Sequence, residues 1–236
     1  MKTHKIIFFL VILLITTCKK DKSKYLVELY TDSLFTQKKE SLSIDSLEQI
    51  KQNGFVKISQ YDNKSSEKGR IINGKKVGNW KKYFNPLDQN KISEECTYSE
   101  KGDLINYKIY DLKTQKIIEN RNYTNDNLVG IQQDFYPTGK LHIQFETDKN
   151  GRFINNYKVL SQNGKEIYQS FLGATGTGYI KYYDKDNLLI WEGLFKNKKK
   201  EGWHYEYLIE YGGKTTEKLC NQYKSDSLIQ TKTQKF

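Results

Sequence analysis

The chain has 236 residues, and its 39 Lys and Arg residues outnumber its 28 Asp and Glu residues, which gives a formal net charge of +11 at pH 7. This length is sufficient for a domain with its own hydrophobic core. Aromatic residues make up 14% of the chain, with 18 Tyr, and only 2 residues are Pro. The composition excludes a disordered or collagen-like chain and is typical of β-sheets rich in tyrosine.

Residues 1–18 have the features of an export signal. Lys2 and Lys5 precede an uncharged apolar run over residues 6–15, and this run is too short to cross a membrane as a helix. Cys18 stands where the apolar segment ends, and Lys19 follows it directly. The pattern therefore predicts that the chain is exported.

A Cys in this position resembles the lipidation site of bacterial lipoprotein signals. The resemblance implies that the thiol of Cys18 receives a diacylglycerol and that Cys18 becomes the first residue of the mature chain. Because several acyl chains anchor a protein stably, we expect it in the bacterial cell envelope, with the outer membrane as the expected location. The alternative is an N-terminal membrane anchor that is never cleaved.

Residues 19–66 are predicted to form a tether followed by a cap. The segments 25–30 and 55–60 favour strands, the second because apolar and polar residues alternate along it. Between them, Asp45 is placed as an N-cap, Glu48 is placed to bond back to it, and Gly54 is a stop signal, so a short helix is predicted over residues 45–52. The cap is therefore expected to be small and of mixed α/β structure.

The stretch 69–84, GRIINGKKVGNWKKYF, predicts two strands joined by a tight turn. Ile71 and Ile72 lead into Asn73 and Gly74, and an Asn-Gly pair between apolar segments is a strong hairpin signal. The chain then returns through Trp80. This stretch therefore predicts one β-hairpin.

A similar sequence pattern recurs along the chain at intervals of 27, 25, 25, 23 and 24 residues. The equivalent positions, called the anchors here, are Gly78, Ile105, Gly130, Asn155, Gly178 and Gly202. The positions two residues after the anchors are Trp80, Tyr107, Gln132, Tyr157, Ile180 and His204, and the positions five residues after them are Tyr83, Tyr110, Phe135, Leu160, Tyr183 and Tyr207. A period of this length with one hairpin in each unit predicts a repeat architecture.

The segments NGKKVGNWKKYF, NDNLVGIQQDFYPTGKL and EGLFKNKKKEGWHYEY resemble the NGKxxGxWxxYxxxGK pattern of variant MORN repeats. Bacterial proteins built from such repeats are grouped as YwqK-type antitoxin-like repeat proteins, and the resemblance covers residues 67–211. It implies an array of hairpins with a role in binding and without a defined active site. The units anchored at Ile105 and Asn155 depart from the pattern because they lack the anchor glycine.

We therefore expect a mostly β fold, an elongated antiparallel sheet built from about six repeated β-hairpins, with a small α/β N-terminal cap. The expected divisions are a lipoprotein signal peptide over residues 1–18, a tether and cap over residues 19–66, and the hairpin array over residues 67–236.

One periodic pattern predicts a binding face. Lysines recur three residues after several anchors, and they share a strand face with the aromatic residues two positions further on, because side chains alternate along a strand. The candidate residues are Lys81, Tyr83, Lys108, Tyr110, Lys158, Lys181, Tyr183 and Tyr207. Their expected ligand is an anion or a glycan, held by charge and ring stacking. The alternative is purely structural, with cross-strand Tyr packing under solvated lysine stems.

Motifs for catalysis, metals and cofactors are missing from the sequence. His4 lies in the signal, and His142 and His204 stand in different repeat units. There is no H-E-x-x-H or Cys-x-x-Cys pattern, and the glycine-rich residues 173–178 lack the Lys-Ser/Thr of a phosphate loop. We expect no catalytic residue, no metal and no cofactor.

The expected function is an envelope-anchored binding module for an unidentified protein or for an anionic or glycan ligand. Two alternatives remain open: an antitoxin or immunity protein that captures a secreted toxin, and an envelope hydrolase. Nucleic acid is not an expected partner, because export removes the chain from it.

Two cysteines follow Cys18, namely Cys96 and Cys220. They lie about five repeat units apart, which in an open array is far beyond the roughly 7 Å that a disulfide allows between Cα atoms. Both are therefore predicted to be unpaired thiols.

Overall fold

The computed structural model describes residues 25–46, 49–60, 65–84, 91–210 and 212–236. The predicted signal, Cys18 and the tether up to residue 24 lie outside the described residues. In these described ranges, no helix is long and apolar enough to cross a membrane.

Eighteen β-strands account for most of the described residues, and they form two sheets. The strands of the large sheet are β1 Tyr25–Tyr30, β2 Lys38–Ile44, β3 Gly54–Gln60, β4 Ser66–Ile72, β5 Lys75–Tyr83, β6 Ile92–Tyr98, β7 Leu104–Tyr110, β8 Ile117–Thr124, β9 Asn127–Leu128, β10 Gly130–Phe135, β11 Leu141–Thr147, β12 Phe153–Leu160 and β13 Glu166–Ser170. The strands of the small sheet are β14 Gly178–Tyr183, β15 Leu189–Lys196, β16 Lys199–Ile209, β17 Thr215–Lys224 and β18 Ser227–Lys235.

The order of the strands in each sheet closely follows the chain. The large sheet runs β13-β12-β11-β10-β8-β7-β6-β5-β4-β3-β1-β2, with β9 attached to β8, and the small sheet runs β14-β15-β16-β17-β18. The pairings are antiparallel throughout, so both sheets consist largely of successive hairpins. This arrangement confirms the predicted mostly β fold with an elongated antiparallel sheet of repeated hairpins.

The predicted hairpin around Asn73 and Gly74 joins β4 to β5. Both turn residues have left-handed backbone, with φ of 51° and 75°, which a two-residue turn needs in order to match the twist of the strands. The same pair of left-handed residues recurs at the turns Asn125–Asp126, Asn197–Lys198 and Ser225–Asp226. Residues with positive φ thus occupy the tight turns of several hairpins along the array.

The predicted mixed α/β cap is wrong, because β1, β2 and β3 join the large sheet directly. Between β2 and β3 the described residues form one turn, in which the backbone N–H of Gln49 donates to the carbonyl of Ser46 at 3.2 Å; residues 47–48 lie outside the description. Ile50 is fully buried in the sheet core. The packing of Ile50 in the core outweighs the N-cap and stop signals that predicted a helix, since an isolated helix of about two turns is only marginally stable.

The described residues form two hydrophobic cores. The N-terminal core contains Val27, Leu29, Ile44, Ile50, Val56, Ile58, Ile71 and Trp80. The junction core contains Ile143, Tyr157, Val159 and Leu172 together with Ile180 and Phe195 of the small sheet. Because the junction core draws residues from both sheets, it holds the small sheet against the end of the large one.

The position of a residue within its repeat unit determines whether its side chain is buried. Five of the six residues that stand two positions after the anchors are at most 2% exposed: Trp80, Gln132, Tyr157, Ile180 and His204. Gln132 is tolerated there because its side chain accepts the backbone N–H of Asn122 at 2.9 Å and donates to the Asn122 carbonyl at 3.2 Å, which satisfies a buried polar group.

Candidate ligand-binding face

A single row of directly opposed residues crosses twelve strands of the large sheet. We call it the polar ladder, and its members from one edge to the other are Ser41, Glu28, Lys57, Lys68, Lys81, Glu95, Lys108, Asn120, Gln133, Gln144, Lys158 and Gln169. The predicted Lys81, Lys108 and Lys158 therefore lie in one row. Lys181 lies in the small sheet, opposite Glu192.

Most predicted lysines of this face are paired with carboxylates. The ammonium of Lys108 lies 3.3 Å from Glu95, and that of Lys158 lies 3.2 Å from Glu166. In the small sheet, the ammonium of Lys181 lies 3.6 Å from Glu192. Over most of its length the predicted face is therefore close to neutral.

The predicted tyrosines of these units have structural contacts. The hydroxyl of Tyr207 donates to Glu192, and burial together with that carboxylate raises the pKa of Tyr207. Burial and Glu95 likewise raise the pKa of Tyr110. The ring of Tyr183 lies 6.3 Å from that of Tyr168, next to the junction core. These contacts fit the structural alternative for this part of the face.

The Lys81 end of the polar ladder differs, because three lysines follow one another there. Lys57, Lys68 and Lys81 are directly opposed on β3, β4 and β5. Like charges directly opposite each other in a sheet are destabilising. The carboxylate of Glu28 lies 3.6 Å from the ammonium of Lys57, whereas Lys81 has no ion-pair partner among the residues that the structure describes.

Next to these lysines lies a groove of about 1060 Å³, which we call the basic groove. Its cationic lining residues are Lys68, Arg70 and Lys81, its aromatic ones include Phe35, Phe55 and Tyr83, and Glu100 is its carboxylate. Lysine and arginine beside aromatic rings form a setting that suits a ligand with both negative charge and a flat apolar surface.

The cations and rings of the basic groove are in mutual contact. The ammonium of Lys68 lies 5.5 Å from the centre of the Phe35 ring and 5.4 Å from that of Tyr83. The guanidinium of Arg70 lies 6.0 Å from the centre of the Phe55 ring. Phe35 and Phe55 meet edge to face at 6.1 Å. These contacts place the ammonium of Lys68 and the guanidinium of Arg70 beside the rings of the groove.

Burial lowers the pKa of Lys68, and the neighbouring charge of Lys57 lowers it further. Both causes disfavour the ammonium form. An anion bound beside Lys68 would act in the opposite direction, because an opposite charge favours the charged form. A bound anion would therefore raise the pKa of Lys68 again.

Phe35 reaches the groove from the loop between β1 and β2. Its backbone is left-handed, with φ of 58°, and a bulky side chain rarely adopts this conformation. The carboxylate of Asp32 holds the loop by accepting backbone N–H groups of Leu34 at 2.9 Å and of Gln37 at 2.7 Å. These bonds lower the pKa of Asp32. Asp32 thus acts as a positioning residue for Phe35.

The sequence pattern identified Lys81 and Tyr83 of the basic groove but missed its other members. Those are Phe35, Phe55, Lys68 and Arg70, with Lys57 beside them. The alternation over residues 55–60 already placed Phe55 and Lys57 on one strand face. Phe35 carried no such signal, because it is in a loop.

The features that could support catalysis are scattered. His142 and His204 are buried in different sheets, and burial lowers the pKa of both. Within the described ranges, no group of three or more His, Cys, Asp or Glu side chains is arranged to hold a metal ion. Cys96 and Cys220 are free thiols in different sheets, which confirms that they are unpaired.

Comparisons with known proteins leave the chain unassigned. No protein-family model matches the sequence, and no curated protein is significantly similar to it.

Proposed function

We propose that this protein is a non-catalytic binding module of the cell envelope and that its basic groove binds an anionic ligand. The observation that carries the proposal is Lys81, which has no ion-pair partner among the described residues and is directly opposed by Lys68 on the neighbouring strand, beside the ring of Tyr83. An arrangement that costs free energy in the empty protein is stabilised when an anion neutralises it.

The rest of the face supports this location for the site. Lys108, Lys158 and Lys181 are each paired with a glutamate, so an anion gains less by approaching them. We also propose that the protein is exported and anchored in the membrane through lipidated Cys18. A hydrolase is not favoured, since the two described histidines are buried far apart in the repeat order. The antitoxin-like role stays a prediction from the resemblance.

The proposal is tested by calorimetric titration of the full chain in detergent micelles with citrate, glucuronate and neutral glucose. Citrate and glucuronate should bind and glucose should not. Lys81→Gln should weaken binding, whereas Lys158→Gln should not. The control is matched because it removes the same charge from the same polar ladder at a position that is already ion-paired. Equal binding by the two variants would place the anion elsewhere.

A further inference from the structure

A second groove lies at one end of the small sheet, where β15 and β16 stop pairing with each other. Their register ends at Trp191 opposite Glu206. β15 nevertheless stays paired with β14 as far as Leu189, and β16 stays paired with β17 as far as Ile209. Pairing between the two strands thus ends before either strand does. The groove at this place has a volume of about 1080 Å³, and we call it the acidic groove.

The walls of the acidic groove are largely apolar. Leu188, Ile190 and Trp191 line it from the β14–β15 turn and from β15, and Leu208 and Ile209 line it from β16. The side chain of Leu208 is 53% exposed. Sites for small molecules typically combine apolar walls of this kind with a small number of polar groups. The walls therefore suit the apolar body of a small ligand.

The charged residues that line the acidic groove are all carboxylates, namely Asp184, Asp186, Glu206 and Glu210. Within the described ranges, no lysine, arginine or histidine lines it. Asp184 is engaged by its own turn, because its carboxylate accepts the backbone N–H groups of Asp186 at 2.9 Å and of Leu188 at 2.8 Å. The side chains of Asp186, Glu206 and Glu210 have no ion-pair or hydrogen-bond partner among the residues that the structure describes. These three carboxylates are available to a ligand.

Glu206 is the carboxylate with the most to gain from a cation. It is half-buried, and it stands between Trp191 of β15 and Leu219 of β17, which are directly opposite it. Partial removal of a carboxylate from water costs free energy unless a partner compensates for it. The half-buried Glu94 has such a partner, since the ammonium of Lys82 lies 2.7 Å from it. Glu206 lacks this compensation in the described part of the protein.

From these features we propose that the acidic groove binds a hydrophobic organic cation, an amine whose ammonium group pairs with Glu206 and Glu210 and whose apolar body packs against Ile190 and Leu208. A bare Ca²⁺ or Mg²⁺ ion does not fit this setting, because such ions require oxygen ligands on all sides and the walls are apolar. The basic groove is in the large sheet, so this inference is independent of the proposed function.

The test is calorimetric titration of the full chain in micelles of a non-ionic detergent, with titrations into micelles alone subtracted. The probes are phenethylamine, its neutral counterpart 2-phenylethanol, and methylamine, which has the charge without the apolar body. Phenethylamine should bind about tenfold more tightly than 2-phenylethanol, because the alcohol has no charge to pair with Glu206. It should also bind about tenfold more tightly than methylamine, because methylamine buries little apolar surface.

Three variants locate the site. Glu206→Gln should lower the affinity for phenethylamine by about tenfold and leave that for 2-phenylethanol within about twofold. Glu166→Gln is the matched control, because it removes the same charge at a glutamate of the large sheet that is already paired with Lys158 at 3.2 Å; it should change neither affinity. Leu208→Ser removes part of the apolar wall and should weaken both ligands. Circular dichroism checks that each variant is folded.

The contrary outcomes are separate from those of the anion titrations. If 2-phenylethanol bound as tightly as phenethylamine, the groove would be an apolar site without selectivity for cations. If methylamine bound as tightly, the apolar walls would have no part in recognition. Equal losses in Glu206→Gln and Glu166→Gln would place the amine elsewhere, and absence of phenethylamine binding would also overturn the inference. None of these results bears on binding of citrate at the basic groove.

Discussion

The indole ring of Trp80 lies against Gly69 on the neighbouring strand so closely that a Cβ atom at Gly69 would stand 2.2 Å from the ring atom Cδ2. The indole N–H donates to the carbonyl of Arg70, the next residue, at 3.1 Å. The ring thus fills the space of the missing side chain and also satisfies its own polar atom, which a buried tryptophan needs.

The small sheet repeats this arrangement with different residues. A Cβ atom at Gly193 would stand 2.2 Å from Nδ1 of His204, and Nε2 of His204 donates to the carbonyl of Leu194 at 2.8 Å. Trp80 and His204 both stand two positions after an anchor glycine. Two distant units therefore use the same packing of a ring on a glycine.

Replacement of Gly69 by Ala should destabilise the protein. The added methyl group overlaps the Trp80 ring, so the ring or the strand must shift, and such overpacking costs about 1–3 kcal/mol. Denaturant unfolding followed by tryptophan fluorescence measures the loss. Gly78→Asn is the matched control, because a Cβ at Gly78 meets no atom within 4 Å and Asn tolerates its left-handed backbone. An unchanged midpoint for Gly69→Ala would contradict the packing.

Stability should fall in mild acid because of the buried histidines. Burial lowers the pKa of His204 and of His142 below the ordinary value of 6.5. Below pH 6.5 the unfolded chain binds protons at these residues while the folded protein still does not, so protonation favours unfolding. The contribution is thus fully present above 6.5 and is lost as pH falls through 6.5 towards the lower folded value.

The measurement is the free energy of unfolding at a series of pH values on either side of 6.5. His204→Gln should show a shallower decrease than the unmodified protein, because one of the two titrating rings is gone. Gln is a suitable replacement, since Gln132 fills the equivalent buried position in another unit. Identical pH slopes for the two proteins would show that His204 does not titrate in this way.

Asp32→Ala should loosen the loop that carries Phe35. It removes the acceptor of the N–H groups of Leu34 and Gln37, so amide hydrogen exchange at these residues should accelerate. Asp32→Asn keeps one acceptor oxygen and should have an intermediate effect. Because the pKa of Asp32 is lowered, the loop should persist below pH 3.8 and loosen only as pH falls through the lower value. If amide hydrogen exchange were unchanged in Asp32→Ala, the carboxylate of Asp32 would not be the group that holds the loop.

Alkylation of the unfolded, unreduced Cys18→Ser variant should add two labels, one each at Cys96 and Cys220, because both are free thiols in the structure. Intact mass measures the labels, and Cys96→Ser should reduce their number to one. In the folded protein, burial raises the pKa of Cys96, so its alkylation should be slower than in the unfolded chain, since the thiolate is the reactive form. Absence of labels together with a Cys96–Cys220 peptide would contradict the fold.

Export and anchoring are tested at Cys18. Cys18→Ser should abolish the incorporation of labelled fatty acid and release the protein from the membrane fraction, because the thiol is the proposed acylation site. Lys19→Ser is the control, since it alters the adjacent residue and keeps the thiol. Acyl labelling that persists in Cys18→Ser would end the lipoprotein proposal.

The hairpin array was predictable because its signals are local. A turn such as Asn73-Gly74 specifies its own backbone, and the period of the repeat gives the register, so that Lys81 and Lys108 were placed on one face. The buried positions of Gln132 and His204 were less evident from their polar side chains. Their partners are backbone groups on neighbouring strands, which a sequence pattern does not show.

The basic groove could be predicted only in part, because it is assembled from distant segments. Phe35 comes from a loop with unfavourable backbone geometry, and Lys68 meets it through the pairing of β4 with β3 and of β3 with β1. The helix predicted over residues 45–52 failed for a related reason, since burial of Ile50 in a sheet core depends on strands elsewhere in the chain.

Among the described strands, β18 is weakly constrained, because it is the last strand of the small sheet. β18 pairs only with β17, and all nine of its residues are exposed on both faces. In an array where each element contacts only its neighbours, stability is close to a sum of local terms. Under an applied force the terminal hairpin should therefore detach first, while the junction core keeps the remaining strands folded, so the array would lengthen in steps.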